Sequence, residues 1–194
     1  MTPVLLVLAL VLAPLMPAAG QVPKPPQPPG ANPTGSAVLD FKERIQAYLK
    51  VHNDAESKVP KLKETNDPAK VHDREAALGA MIRRMRTSAR EGEVFGTSFR
   101  EVLAREVRQD FLERSAADRK ALMIEVPTRT RIAVNTTYPT QLPLATFPPR
   151  LLQRLPDLPP ELEYRIVGRH IVLRDVTANV VVDVARDVVP AIPS

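Results

Sequence analysis

Tyr164-Arg165-Ile166-Val167-Gly168-Arg169-His170-Ile171-Val172-Leu173-Arg174-Asp175-Val176-Thr177-Ala178-Asn179-Val180-Val181-Val182-Asp183-Val184 holds three β-branched runs separated by two short turns. Residues 164–167, 170–174 and 180–184 read as strands, because branched side chains suit a pleated, half-buried surface. A tight turn at Gly168-Arg169 and a second at Thr177-Ala178-Asn179 make the three an antiparallel meander. Strict alternation would aim Tyr164, Ile166, Ile171, Leu173, Val180, Val182 and Val184 at a core and leave Glu163, Arg165, Arg174 and Asp183 in water. Three strands with one apolar face are marginal alone. The sheet must therefore pack on helices or pair with a fourth strand, for which Arg129 to Val134 has the required alternation.

The helices lie upstream. Val38, Phe41, Ile45, Tyr48, Leu49 and His52 recur every three or four positions and predict a first helix over 37–58. Asp67-Pro68 starts a second, since Asp accepts from free N–H groups and Pro lacks the one that would go unpaired. It carries Val71, Leu78, Ile82, Met85 and Ala89, with Gly92 as terminator. Ser98 and Glu101 form a capping-box pattern for a third helix ending near Arg114, and Ser115 with Asp118 opens a short one to about Met123. Beyond Pro127 the helical period disappears and prolines multiply, with one helical turn set on Pro149 and running to Leu155. The expected fold class is α+β: a helical layer over 37–126, then a proline-rich connection and small antiparallel sheet over 127–194, packed as one domain.

The chain has 194 residues, 27 Lys+Arg against 22 Asp+Glu, 44% hydrophobic residues and no Cys. That hydrophobic share is enough for a core and excludes disorder throughout. Without Cys there is no disulfide framework, thiolate metal site or thiol nucleophile. Val4 to Met16 is an apolar stretch broken by Pro14 and followed by the small residues Ala18 to Gly20, so residues 1–20 read as a secretory signal peptide cleaved before Gln21. Pro23, Pro25, Pro26, Pro28, Pro29 and Pro33 make residues 21–36 a stiff, extended spacer.

Leu155 to Val184, together with Glu91-Gly92-Glu93-Val94-Phe95, resembles a family of exported bacterial proteins of unknown function. The resemblance implies a periplasmic or extracellular setting and carries no site residues. The hairpin from Tyr164 to Val184 also resembles the C-terminal hairpin of small periplasmic proteins of nickel and cobalt homeostasis.

Nucleotide-binding, nucleophile-elbow, zinc-protease and calcium-loop patterns do not occur, so no cofactor is expected and catalysis is the minority expectation. Asp175 and Asp183 flank the last turn, and their simplest reading is a solvated strand face. Asn135-Thr136-Thr137 fits a glycosylation sequon but is more simply turn chemistry at a strand end. The densest charge is Arg83-Arg84-Met85-Arg86 with Arg90. On a continuous helix Arg83, Arg86 and Arg90 share one face, which could pair with acidic side chains of the third helix or meet an acidic partner. Such a partner would be an envelope protein or an anionic cell-envelope polymer. Nucleic acid is disfavoured by the exported setting and by the 4% aromatic content. His52 and His72 form the remaining constellation: in a hairpin turning near residues 61–66 they lie at similar heights. With Asp54, Glu56 or Glu75 they could hold a zinc, nickel or cobalt ion. The leading expectation is a noncatalytic interaction module, with metal handling and cell-envelope hydrolysis as alternatives.

Overall fold

In the computed structural model the described residues are 32–191 apart from 125, 128, 129, 140 and 143–146. The expected signal peptide, and the proline-rich spacer as far as residue 31, lie outside them. Helix α1 spans Pro33–Ser57 and so starts four residues before its expected position. The Asn32 side chain accepts from the N–H groups of Thr34 and Gly35 at 3.1 and 3.2 Å, and Pro33 takes the first helical position. This is the Asp67-Pro68 device used a second time, hidden because Pro33 reads as the last proline of the spacer. Phe41, Ile45, Tyr48, His52 and Ala55 form its buried stripe.

Helix α2, Pro68–Met85, starts as expected, with Asp67 accepting from Ala69 N–H at 3.0 Å. It ends well before Gly92. Arg86 leaves helical geometry at φ −113°, ψ 39°, and Asn135 closes the end by donating its side-chain amide to the carbonyls of Arg83 and Arg86 at 3.0 and 2.9 Å. Helix α3 spans Gly96–Glu113 and begins without a side-chain cap, so the Ser98–Glu101 box is not used. Helix α4, Ala116–Ile124, does open on Ser115, whose hydroxyl accepts from Asp118 N–H at 3.1 Å and donates to its carboxylate. The turn on Pro149 is α5, Pro149–Leu152. Helices α1 and α3 meet through aromatic rings, with Phe41 stacked on Phe99 at 4.0 Å between centroids.

The meander is present as β1 Leu162–Val167, β2 His170–Asp175 and β3 Val180–Ala185, antiparallel in the order β1-β2-β3. Gly168 makes the first turn at φ +58°, where a Cβ would crowd the backbone. No strand forms over the described residues 130–134, contrary to the expected fourth strand. Asn135 sits at φ +59° and turns the chain out of ladder geometry, leaving one bridge between Thr137 and Val180. Around it Asn135 N–H bonds Val181 O at 2.8 Å and Tyr138 N–H bonds Asn179 O at 2.9 Å, which covers the outer edge of β3.

Between Leu173 and Arg174 the β2–β3 register slips: Leu173 opposes Asp183, while Arg174 opposes Val181. Val182 is the extra residue of a bulge, and a bulge reverses the facing of everything beyond it. Val180 and Val182 pack with Leu162, Tyr164, Ile166, Ile171 and Leu173 in the main core against the helices. Past the bulge Val184 lies on the opposite face with Val167, Val172, Val181, Ile132 and Tyr138, and Asp183 is fully buried. Both outcomes correct the strict alternation. Glu163, Arg165 and Arg174 do lie on the outer face, half-buried, with Arg174 donating to Glu163 at 2.8 Å and stacked 5.0 Å from the Tyr138 ring centre.

Helix α2 rides directly on the β2–β3 turn. A Cβ on Gly79 would stand 2.4 Å from the carbonyl oxygen of Ala178, so only glycine permits this approach.

Candidate functional site

Positions 48 and 52 of α1 are one helical turn apart and project polar tips from an apolar stripe toward the end of β2. Both tips reach one oxygen. The Tyr48 hydroxyl donates to Asp175 Oδ2 at 2.7 Å, and His52 Nδ1 lies 2.7 Å from the same atom. Asp175 Oδ1 accepts from the Thr177 hydroxyl and from the N–H groups of Thr177 and Ala178, at 3.0, 3.0 and 2.9 Å. The carboxylate, fully buried, thus closes its own turn and ties that turn to α1. Burial alone would raise the Asp175 pKa, but the bonds from His52 and Tyr48 outweigh it and hold the carboxyl below its usual range. The bond to Asp175 raises His52 against the effect of burial, and burial followed by the Asp175 charge drives the Tyr48 phenol far up. Such a phenol is no nucleophile near neutral pH, and Asp175 has no lone pair left for a substrate. Tyr48, His52 and Asp175 form a fastener.

Asp183 is a second one. The bulge aims it at the turn before α3, where it accepts from Gly92, Val94 and Phe95 N–H, each at 2.8 Å, and from Val184 N–H at 2.7 Å. Burial raises its pKa against the pull of these four donors. The expectation that Asp175 and Asp183 occupy a solvated face is therefore corrected at both positions. Nothing in the residues around 183 signals the bulge. For the other site the sequence holds a signal that the stripe reading passes over: Tyr48 and His52 bring polar tips into an apolar stripe, and Asp175 stands two residues before Thr177, the spacing of a side-chain-closed turn.

The three arginines do not share a helix face, because α2 stops between them. Arg83 is half-buried and donates to the Thr137 hydroxyl at 3.0 Å. Arg86 is buried: its Nη2 donates to Glu93 and to Val182 O, both at 3.2 Å, and its guanidinium carbon stands 5.1 Å from the centre of the Tyr48 ring. Its Nη1 is buried without a partner. Arg90 is exposed in the turn beyond the helix, as is Arg84 on the last turn of α2. Arg86 also lines a cavity of about 380 Å³ between α1, the end of α2 and the following turn, with Arg44, Tyr48, Val51, Met85, Ala89, Glu93 and Val94 around it.

The two histidines of the metal constellation have different surroundings. His52 is inside, on Asp175, while His72 is largely exposed on α2 with Glu75 at 3.8 Å. Among the described residues no group of three or more His, Asp or Glu side chains could hold a metal ion. Asn135 of the sequon spends its amide nitrogen on the end of α2, as described. No helix among the described residues is long and apolar enough to cross a membrane. No family model, curated protein or solved structure matches the chain, so neither resemblance seen in the sequence is reinforced by comparison.

Proposed function

We propose that the chain is a noncatalytic interaction module of the bacterial envelope, exported by its N-terminal segment, that meets an acidic envelope protein or an anionic cell-envelope polymer. One observation carries this reading: Arg84 and Arg90 stand exposed at the end of α2 with no ion pair among the described residues. By contrast Arg44, Arg114 and Arg186 are each paired with a carboxylate. Unpaired cations beside a helix end raise the local concentration of polyanions, and the attraction is screened by salt. The Tyr48–His52–Asp175 set, the grouping nearest to a catalytic constellation, is consumed in holding the fold.

The test is retention of the folded chain on immobilised poly-glutamate across a salt gradient, beside the double variant Arg84→Glu, Arg90→Glu. The wild type should elute late and the variant early, with identical circular dichroism. Equal elution of the two would overturn the assignment of this surface.

A further inference from the structure

Arg86 carries more donor capacity than the protein uses. Its side chain is 5% exposed, Nη2 is occupied by Glu93 and Val182, and both hydrogens of Nη1 lack an acceptor. Buried polar groups are rarely left so, and an orphan guanidinium nitrogen marks a place where an acceptor belongs. The acceptor now present is a poor one. Glu93 touches the fork through a single bond of 3.2 Å, its side chain is 45% exposed, and its other hold is the Arg90 N–H at 3.4 Å. A ligand carboxylate in the place of Glu93 would meet the fork at Nη2, the nitrogen that Glu93 now holds, since Nη1 is itself closed off.

The cavity beside Arg86 has about 380 Å³, within the range of small-ligand sites, and Val51, Met85, Ala89 and Val94 give it apolar walls. Its charges fix the kind of ligand. Arg44 at the rim is already paired with Asp40 at 2.8 Å and donates to the Glu93 carbonyl at 2.9 Å, so when the Glu93 side chain swings out one positive charge, that of Arg86, is left to neutralise. A dication-seeking group such as phosphate would bring one charge too many. The match is a single carboxylate on a short apolar tail.

We propose that this cavity is a binding site for a small organic monocarboxylic acid, whose carboxylate displaces Glu93 from Arg86 and whose tail lies against Val51, Met85, Ala89 and Val94. The site is separate from the exposed Arg84 and Arg90 and does not depend on the polyanion reading. No bond is made or broken, so the role is recognition.

The experiment is a heteronuclear NMR titration of the folded chain with hexanoate, hexanol and hexylamine. Hexanoate should shift the Val51, Ala89, Val94 and Arg86 side-chain resonances saturably, with hexanol much weaker and hexylamine inert there. Glu93→Gln, whose amide oxygen can still accept from Arg86, should tighten hexanoate about threefold, since a neutral amide holds the guanidinium less strongly than a carboxylate does, with an unchanged amide spectrum away from the cavity checking the fold. Shifts that map elsewhere, hexanol binding as well as hexanoate, or unchanged affinity in Glu93→Gln would each overturn the proposal. Arg84→Glu, Arg90→Glu keeps the hexanoate site while losing poly-glutamate, so either reading can fail alone.

Discussion

Asp175 shows how much one side chain can organise when it is fully desolvated. Its replacement by Asn keeps the shape but removes the charge that His52 and Tyr48 face, and breaking a buried pair of this kind costs about 3 kcal/mol or more. Urea unfolding of Asp175→Asn should show that loss without a change in slope, while Tyr48→Phe, which removes one bond to a charged acceptor, should lose about 1.5 kcal/mol. Gly79 makes the opposite point. Alanine inside a helix ordinarily gains about 0.5–1 kcal/mol over glycine. Here the Ala178 carbonyl blocks the methyl group, so Gly79→Ala should instead destabilise by roughly 1–3 kcal/mol and lower the melting temperature by several degrees. At this scale the sequence was legible for apolar residues and not for polar ones. Phe41, Ile45 and Leu78 declare their burial by spacing, whereas an aspartate is read as solvated until the donors that surround it are known. The donors that bury these two carboxylates, Tyr48 and His52 on α1 for Asp175 and the N–H groups of Gly92, Val94 and Phe95 for Asp183, lie far along the chain, where no local pattern displays them.

At the scale of elements, boundaries set by local chemistry were readable except at Asn32-Pro33, which hides in a proline run, and at the unused Ser98–Glu101 box, while those set by distant segments were not. Asp67-Pro68, the strands from Tyr164 to Val184 and the turn on Pro149 follow from nearest neighbours. The end of α2 does not: it is fixed by Asn135, 49 residues beyond Arg86, so the arginine spacing that implied a shared face was spacing across a turn. The β3 bulge likewise depends on pairing with β2 and on the donors offered to Asp183. Two substitutions at Asn135 separate its two roles. Asn135→Gly keeps the left-handed backbone and loses both bonds to the end of α2, for about 1–2 kcal/mol, while Asn135→Ala adds backbone strain and should cost about 1 kcal/mol more by thermal melting. Amide exchange in both variants should rise first in the last turn of α2, where the capped carbonyls lie.

For the whole molecule the buried titrations define a pH range of greatest stability. The folded His52 pKa lies above its ordinary 6.5, so its contribution is full below 6.5 and disappears as pH rises through the folded value. The Asp175 pKa lies below its ordinary 3.8, so its contribution is full above 3.8 and is lost as pH falls through the lower folded value. Asp183, raised by burial, takes up its proton earlier in the folded state and offsets part of the acid loss. Unfolding free energy measured from pH 3 to 9 should therefore be highest between about 4 and 6.5, and His52→Gln should remove the decline on the alkaline side. The fasteners carry a further consequence, for the order of events in folding. Tyr48 and Asp175 are 127 residues apart, and Phe95 and Asp183 are 88 apart. Helices α1 to α3 therefore leave the ribosome before any strand that covers them, and the carboxylates that accept from Tyr48, His52 and the turn at Gly92 come last. Closure of so many distant contacts is slow, and a chain that cannot seal its core until Ala185 has emerged stays threadable throughout its synthesis.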